Sequence, residues 1–255
     1  MKSSTVERFN GLKVKRAVIM GFEEMLRKYF DKALTEVDFV RKTYNALKKY
    51  GFNDENAIAS VCICRDEISQ SLRSIIKHVW GEAFDLSSLG GMFFAGKTAL
   101  KSAMHHAPNA DRRKRYVYYA MPHIAIDEEG RMGFCRRKGI KESHACGALC
   151  GFLGELREKK VIVSIDDKDA EQSHLKMRLL KEIPYGNVPD LLELTQIALK
   201  VIQTDLKQAL QEIVDEKKSD YALITGIQIN APDGNYIWPA ECYVFMNGIK
   251  KDITL

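Results

Sequence analysis

An apolar run that stops abruptly at charged residues constrains the fold of this chain more than any other stretch. Residues 57–64 are Ala-Ile-Ala-Ser-Val-Cys-Ile-Cys, and Arg65, Asp66 and Glu67 follow directly. A short run rich in Ile and Val predicts a buried strand. If the strand continues past its apolar part, Cys64 and Asp66 project from one face and Arg65 from the other. The end of this strand is therefore either a shared thiol and carboxylate site, or a core cysteine followed by a solvated turn.

The pattern of apolar residues predicts helices before this strand and alternating elements after it. Helical spacing extends from Leu12 to Leu34 and from Val37 to Lys49, which we interpret as an N-terminal helical segment, residues 1–52, packed on an α/β domain of residues 53–255. Strands are then predicted at 116–121, 161–165, 221–230 and 236–246. Helices between the strands predict a mainly parallel sheet flanked by helices, with antiparallel strands at its C-terminal end.

Three local features complete the predicted architecture. Residues 124–134 predict a hairpin that turns at Asp-Glu-Glu-Gly, residues 127–130. After a basic loop, Ser143 is a candidate N-cap for the helix that carries Cys146 and Cys150. The long helix near residues 191–213 has a one-sided apolar stripe that is expected to cover one face of the sheet.

Composition limits the classes of function. Charges interrupt every apolar run well before the roughly 18 residues that a membrane span needs, so no membrane insertion is expected. A net charge of +5, from 39 basic and 34 acidic residues, is too mild to indicate nucleic-acid binding. The six cysteines contain no Cys-x-x-Cys pair, and the first residues show no signal peptide. We therefore expect a reducing compartment, the cytoplasm or, after removal of a transit peptide, the chloroplast stroma.

One short motif suggests a nucleotide site. Residues Gly91–Thr98 satisfy the P-loop pattern, and the apolar run that ends at Asp166 resembles a strand with a magnesium-binding carboxylate. The segment before Gly91 is polar and turn-like, however, and Phe93 and Phe94 occupy the part of the loop where backbone amides would surround phosphates. A P-loop NTPase is therefore one alternative, and a Gly-rich turn with two Phe rings in a core or pocket is the other.

A second, dispersed set of residues suggests a zinc ion. Cys64 and His123 follow two strands, and Cys146 lies at a helix start, where the helix dipole favours a thiolate. Three protein ligands with an open fourth position are typical of catalytic rather than structural zinc. His144 competes with His123, although only Ala145 separates it from Cys146.

Five blocks of sequence, in this order, resemble the limiting-CO2-inducible protein B family, whose fold and zinc site are similar to those of β-carbonic anhydrases. The blocks are Val-Cys-Ile-Cys-Arg-Asp-Glu (61–67), Ser-Leu-Gly-Gly-Met-Phe-Phe-Ala-Gly-Lys-Thr (88–98), Met-His-His-Ala-Pro (104–108), Tyr-Ala-Met-Pro-His-Ile-Ala-Ile-Asp (119–127) and Ser-His-Ala-Cys-Gly-Ala-Leu-Cys (143–150). The resemblance implies Zn2+ held by a Cys-His-Cys set, CO2 and bicarbonate as substrates, and a homodimer or dimer of dimers in a CO2-concentrating mechanism.

The resemblance also assigns residues. Cys64 and Asp66 match the Cys-x-Asp of the β-carbonic anhydrase motif, and Cys146 matches its second cysteine. The Arg of that motif falls at Ile68, so the partner of Asp66 is Arg65 or an arginine elsewhere. The histidine expected three residues before the second cysteine falls at Ser143, so His123 takes its place.

The resulting hypothesis is a carbonic anhydrase in which zinc-bound hydroxide attacks CO2. The apolar pocket for CO2 would be lined by Phe93 and Phe94. Asp66 either accepts a hydrogen bond from the hydroxide or ligates zinc itself until a cation such as Arg65 draws it away. A non-catalytic zinc-binding member of the family, acting in an assembly, is the remaining alternative.

Overall fold

A mixed sheet forms the centre of the molecule. The computed structural model describes residues 21–108 and 112–255. The strands are β1 (Leu34–Thr35), β2 (Ala57–Cys62), β3 (Ala83–Asp85), β4 (Lys114–Ala120), β5 (His123–Ala125), β6 (Phe134–Arg137), β7 (Ile140–His144), β8 (Ser219–Ala231), β9 (Gly234–Met246) and β10 (Ile249–Asp252). The helices are α1 (Phe22–Tyr29), α2 (Glu36–Lys48), α3 (Gln70–Trp80), α4 (Gly96–His105), α5 (Gly147–Glu158), α6 (Ala170–Leu180) and α7 (Leu191–Ile213), with 3-10 turns at Glu67–Ser69 and Leu89–Gly91.

The sheet topology matches the predicted fold class. Within the described residues the strand order is β1-β9-β8-β4-β2-β3, with β5 beside β8 and β10 beside β9. The pairs β2–β3, β2–β4, β4–β8 and β5–β8 are parallel, whereas β9 is antiparallel to β8, β1 and β10. The prediction of a mainly parallel sheet with antiparallel C-terminal strands is therefore confirmed.

Helices cover both faces of this sheet. Successive side chains of β2 point to opposite faces, so Ile58 and Cys62 join one core cluster while Ala59 and Val61 join the other. Side chains of α4–α7 complete the first cluster, and side chains of α2 and α3 complete the second. Burying a large apolar side chain in such a core contributes about 1.5–3 kcal/mol. The two clusters therefore fix β2 and β4 in the centre of the molecule.

Helix α7 buries its predicted apolar stripe against the sheet. Leu194, Ala198, Val201, Ile202 and Leu210 are buried along the predicted face, and they pack on the sheet. The side chain of Asp190 accepts a hydrogen bond of 2.8 Å from the Glu193 backbone N–H and so caps the helix. The prediction for this helix is confirmed.

The predicted buried strand at residues 161–165 is wrong. The segment connects α5 to α6 without joining a strand of the described part of the chain, and Ile162, Val163 and Ile165 are 72%, 60% and 71% exposed. An apolar, β-branched composition shows that residues are suited to a strand, but a strand also needs a free edge beside it. The parallel strands β3, β2, β4 and β8 come from other segments, and β3 forms the edge of the sheet beside β2.

The region between His123 and Cys146 also differs from the prediction. The turn at residues 127–130 is present, because the Gly130 N–H donates to the Asp127 carbonyl at 2.9 Å. The predicted basic loop is instead the antiparallel hairpin of β6 and β7. Ser143 lies in β7 opposite Cys135 and caps no helix, and Cys146 is the N-cap residue of α5.

The N-terminal segment is partly described. Residues 12–20 of the first predicted helix lie outside the described residues; α1 begins at Phe22, and Leu34 belongs to β1, where it pairs with Ile237. Helix α2 starts after Thr35, whose side chain accepts a hydrogen bond from the Asp38 N–H at 3.1 Å. The division at residue 52 stays a prediction. In the described part of the chain, every helix is too short or too polar to cross a membrane.

Candidate metal centre

Three elements bring the three predicted ligands together. Cys64 follows β2, His123 begins β5, and Cys146 precedes α5. The two cysteine Sγ atoms are 3.6 Å apart, and they and a ring nitrogen of His123 all lie within 4.8 Å of one another. All three residues are buried, with exposed fractions of 3%, 0% and 1%. The cluster lies at the carboxyl ends of parallel strands, as the sequence predicted.

The histidine of this cluster has one ring nitrogen engaged and one without a partner. His123 Nδ1 lies 2.9 Å from Asn230 Oδ1. The Nε2 atom is buried, and no described residue forms a hydrogen bond with it. A fully buried nitrogen that lacks a partner, beside two sulfur atoms, fits a metal ligand, because buried polar atoms are otherwise almost always satisfied. Two thiols and one imidazole are also a donor set that suits zinc.

Charge is shared among these side chains. The hydrogen bond from Cys146 lowers the pKa of Cys64 to about 4, despite burial, and the pKa of Cys146 rises because of this partner and its own burial. Burial alone would lower the pKa of His123, but its interaction with Cys64 raises it. The pKa values of the three side chains thus depend on one another. A cation bound there would replace the protons that these side chains share.

A carboxylate and a guanidinium lie beside the cluster. Asp66 Oδ2 is 3.8 Å from His123 Nε2. Arg137 donates from Nη1 and Nη2 to the two Asp66 oxygens, at 2.8 and 2.7 Å. Burial would raise the pKa of Asp66, but the Arg137 hydrogen bonds and the nearby His123 hold it below its ordinary value. Asp66 therefore stays ionised and oriented by a bidentate partner.

Arg65 is not the partner of Asp66. Its Nη2 atom lies 2.6 Å from Glu171 Oε1, and its Nε atom donates to the Ser87 carbonyl at 3.1 Å. Arg65 points to the opposite side from Asp66, as the alternation of a strand requires. Of the two alternatives for the partner of Asp66, Arg65 or an arginine elsewhere, the structure pairs Asp66 with the second, Arg137.

The competing residues lie elsewhere. His144, at the end of β7, is exposed and packs against Phe134, with ring centroids 4.8 Å apart and the ring planes tilted by 48°. Cys150 lies one helical turn beyond Cys146, and burial raises its pKa to about 11. Cys62 is buried, and its Sγ atom contacts the Gly91 carbonyl at 3.4 Å. Of the candidates considered, the geometry groups Cys64, His123 and Cys146.

The Gly-rich stretch 91–98 serves packing. Gly91 has φ +71°, and a Cβ atom there would collide with the carbonyl of Met121. Met92 and Phe93 are buried in the same core cluster as Cys64 and Cys146. Phe94 is 38% exposed and packs edge-on against His174, with ring centroids 5.6 Å apart. This matches the core interpretation of the stretch; the assignment of Phe93 and Phe94 to a CO2 pocket stays a prediction.

Sequence reasoning missed two residues of the site. Arg137 lies at the end of β6, and Lys138-Gly139 before Ile140 was a two-residue hairpin signal that could have revealed it. Asn230 lies in β8, before Ala231, Pro232 and the turn to β9. No local signal marks Asn230, because an Asn before Ala-Pro-Asp-Gly is typical of a turn.

Comparison with known proteins agrees with this geometry. A family model described as limiting CO2-inducible proteins B/C beta carbonic anhydrases matches residues 33–246. The crystal structure of limiting CO2-inducible protein LCIB is 33% identical, with a TM-score of 0.76, and the match covers 90% of this chain and 97% of that chain. The structure of PtLCIB4, a homolog of LCIB, is 20% identical, with a TM-score of 0.78 and coverage of 91% and 99%, and so supports the fold alone.

No curated protein sequence gave a significant match. The family match nevertheless spans most of the chain, including β2, β5 and the start of α5, from which the three clustered side chains come. The chain therefore belongs to the family of limiting CO2-inducible proteins B/C, which is grouped with the β-carbonic anhydrases.

Proposed function

We propose that this protein interconverts CO2 and bicarbonate with a zinc ion held by Cys64, His123 and Cys146. The observation that carries the proposal is the buried cluster of two thiols and one imidazole, in which His123 Nε2 lacks a hydrogen-bond partner among the described residues. The family description supports the same activity. When bound, zinc would supply a Lewis acid that makes water a nucleophile at neutral pH.

The chain's own residues would hold and orient the reactants. Cys64 and Cys146 supply the anionic ligands, and the helix start at Gly147 directs backbone N–H groups toward the Cys146 sulfur. The Asn230 side chain engages the other nitrogen of His123. Burial of all three ligands excludes bulk water, which strengthens each electrostatic interaction.

Asp66 and Arg137 act as a pair in this proposal. Asp66 lies near His123 Nε2, so its carboxylate can accept a hydrogen bond from the water that is to lose a proton. Arg137 binds both Asp66 oxygens, which keeps the carboxylate ionised and fixes its orientation. The side chains of Asp66 and Arg137 are 10% and 16% exposed, so water and CO2 can approach the buried cluster beside them.

CO2 is apolar, and an apolar wall would bind it. We propose Phe93 for this wall, because it is buried in the core cluster that contains Cys64 and Cys146. Phe94 is a weaker candidate, since its ring packs against His174 and is partly exposed. Single substitutions distinguish the two residues. Phe93→Ala should raise the KM for CO2, whereas Phe94→Ala should leave it unchanged.

A stopped-flow measurement of CO2 hydration tests the activity. Protein loaded with one equivalent of zinc should accelerate the release of protons from CO2 and water well above the buffer rate. The Cys146→Ser variant, treated identically, is the matched control and should give the buffer rate. Full zinc occupancy with a rate no better than buffer would refute the enzymatic proposal and leave a non-catalytic zinc protein of the same family.

Two further properties are proposed from the family resemblance. The first is a homodimer or a dimer of dimers, which light scattering on the purified chain would measure. The second is a role in a CO2-concentrating mechanism in the cytoplasm or the chloroplast stroma, which localisation of the tagged protein would test. A monomer at micromolar concentration would contradict the first of these.

A further inference from the structure

We infer that Asn230 is a positioning residue that holds His123 in its Nδ1–H tautomer and aims Nε2 at the two cysteine sulfurs. Asn230 is in turn oriented by the backbone carbonyl of Ile68 and by a chain of hydrogen bonds through Asn235 and Ser71 that ends at the buried Glu36. This inference rests on the proposed function only in that zinc is the ion used to measure it.

The orientation of the Asn230 amide follows from its neighbours. Its Nδ2 atom lies 3.2 Å from the Ile68 carbonyl oxygen and 2.9 Å from Asn235 Oδ1. A carbonyl oxygen only accepts hydrogen bonds, so the atom that faces it must be the NH2 group. The Oδ1 atom of Asn230 then faces His123, at 2.9 Å from Nδ1. Because Oδ1 also only accepts, the ring nitrogen opposite it must carry the hydrogen.

Asn235 is fixed by the same carbonyl. Its Nδ2 atom lies 3.2 Å from the Ile68 oxygen and 2.9 Å from Ser71 Oγ. The Asn235 oxygen is therefore the atom that accepts from Asn230. Turning either amide by half a rotation would place an oxygen against the Ile68 oxygen and lose two hydrogen bonds, so the two amides support one orientation.

The hydrogen-bond chain ends at the buried carboxyl group of Glu36. Ser71 forms a hydrogen bond with Glu36, which is 5% exposed, and the Gln228 amide donates to Glu36 Oε1 at 2.6 Å. Ser71 Oγ accepts from Asn235 Nδ2, which leaves the Ser71 hydroxyl hydrogen to be donated to Glu36. In this series of hydrogen bonds each residue thus donates to the next one on the way from His123 to Glu36. In the neutral ring, the direction of the hydrogen-bond chain therefore leaves the lone pair on Nε2 of His123.

The same hydrogen bonds also join the two segments that carry Cys64 and His123. Ile68 lies in the turn that follows Cys64 and Asp66, and Asn230 lies in β8, the neighbour of the strand that begins at His123. The shared carbonyl of Ile68 therefore couples the Cys64 segment to the His123 ring. Loss of a residue that orients a ligating histidine usually weakens metal affinity about 10- to 100-fold.

Two substitutions of one residue separate positioning from stability. Asn230→Leu removes both the acceptor for His123 and the donor for Ile68, whereas Asn230→Asp keeps the acceptor and removes only the donor. Chelator competition should show zinc affinity falling about 10- to 100-fold in Asn230→Leu and staying within a few-fold in Asn230→Asp. Both variants should lose thermal stability, because both leave the Ile68 carbonyl with one donor fewer.

Thr225→Val is the matched control. Thr225 is a fully buried residue of β8. Its hydroxyl bonds to Gln203 and to the Glu241 carbonyl, and not to any residue of the hydrogen-bond chain between Asn230 and Glu36. Its loss should lower the melting temperature while leaving zinc affinity unchanged. A fall in affinity in Thr225→Val equal to that in Asn230→Leu would show that stability, not positioning, controls the metal.

The tautomer itself is measured by NMR of nitrogen-15-labelled histidine, in zinc-free protein at alkaline pH, where the ring is neutral. The wild type and Asn230→Asp should show the hydrogen on Nδ1 of His123. The Nε2–H tautomer in the wild type, or full zinc affinity in a folded Asn230→Leu variant, would overturn the inference. Zinc binding with no CO2 hydration would refute the proposed enzyme and leave this inference intact.

Discussion

The two sides of the candidate site are built differently. The inner side consists of Cys64, His123 and Cys146, which are buried and fixed by strand ends and a helix start. The outer side is the hairpin of β6 and β7, most of whose residues are partly or fully exposed, and it brings Arg137 to Asp66. The hairpin is inserted between His123 and Cys146 in the sequence.

This difference explains which residues can bind a metal. His144 is separated from Cys146 by one residue yet belongs to the exposed hairpin, where its ring packs against Phe134. His123 is separated from Cys146 by the whole hairpin yet shares its buried cluster. Closeness in sequence therefore does not decide which histidine joins the buried cluster; the ends of the parallel strands do. We expect the inner side to control zinc retention and the outer side to control the rate.

The largest expected effect is the loss of a thiolate from the inner side. Cys64→Ser and Cys146→Ser should each lose zinc, because a neutral hydroxyl does not replace a thiolate as ligand. Metal analysis after gel filtration measures the loss. Cys150→Ser, one helical turn further along α5, is the control and should keep its zinc, and zinc at full stoichiometry in either of the first two variants would remove that residue from the set.

The histidines give the sharpest comparison between the two sides. His123→Ala should lose most of the zinc and all CO2 hydration, because it removes the imidazole ligand. His144→Ala should keep the metal and lose at most part of the rate. Zinc analysis and stopped-flow measurements on both variants check this, and zinc lost only from His144→Ala would reverse the assignment.

The two arginines should differ in rate without differing in metal content. Arg137→Gln should lower the hydration rate about 10- to 100-fold with zinc retained, because Asp66 loses its bidentate partner. Arg65→Gln should change the rate little, since Arg65 pairs with Glu171. Equal losses in both variants would mean that Arg65 acts on Asp66 in a conformation other than this one.

The smallest expected effect concerns the buried carboxyl behind the inner side. Burial raises the pKa of Glu36, against the hydrogen bonds from Ser71, Gln228 and Asn235. The folded state then keeps a proton that the unfolded state has released, so the contribution of Glu36 to stability is present below its unfolded pKa and is lost as pH rises through its folded pKa.

Glu36→Gln should therefore become more stable relative to the wild type as pH rises from acidic to neutral. Melting temperatures of both proteins across that range measure the difference, which we expect to be a few degrees. If the two melting temperatures differ by the same amount at every pH, the proton on Glu36 does not contribute to stability.

The sequence allowed the central strands and the ligands to be predicted because their signals are local. The β2 run alternates between two core clusters and ends at Cys64, and α7 has its apolar stripe on one side. The choice of His123 over His144 followed from the strand that ends just before it and from the resemblance to a family. The predictions of β2 and α7 used the side-chain period of a regular element.

The failures share a different cause. Residues 161–165 have the composition of a buried strand, but whether a strand finds a neighbour depends on which segments already occupy the sheet. Arg65 is adjacent to Asp66, but alternation along an extended chain turns it to Glu171. Arg137 reaches Asp66 only because a hairpin folds back over the site.

The sequence by itself determined the class of sheet and its flanking helices, and it predicted the set of soft ligands, since these depend on periodicity and on residue chemistry. The tertiary structure alone decided the partner of Asp66 and the hydrogen bond that orients His123. Arg137 and Asn230 are distant in sequence from the groups they contact, and no local pattern encodes a hydrogen bond between two segments that meet only in the folded chain.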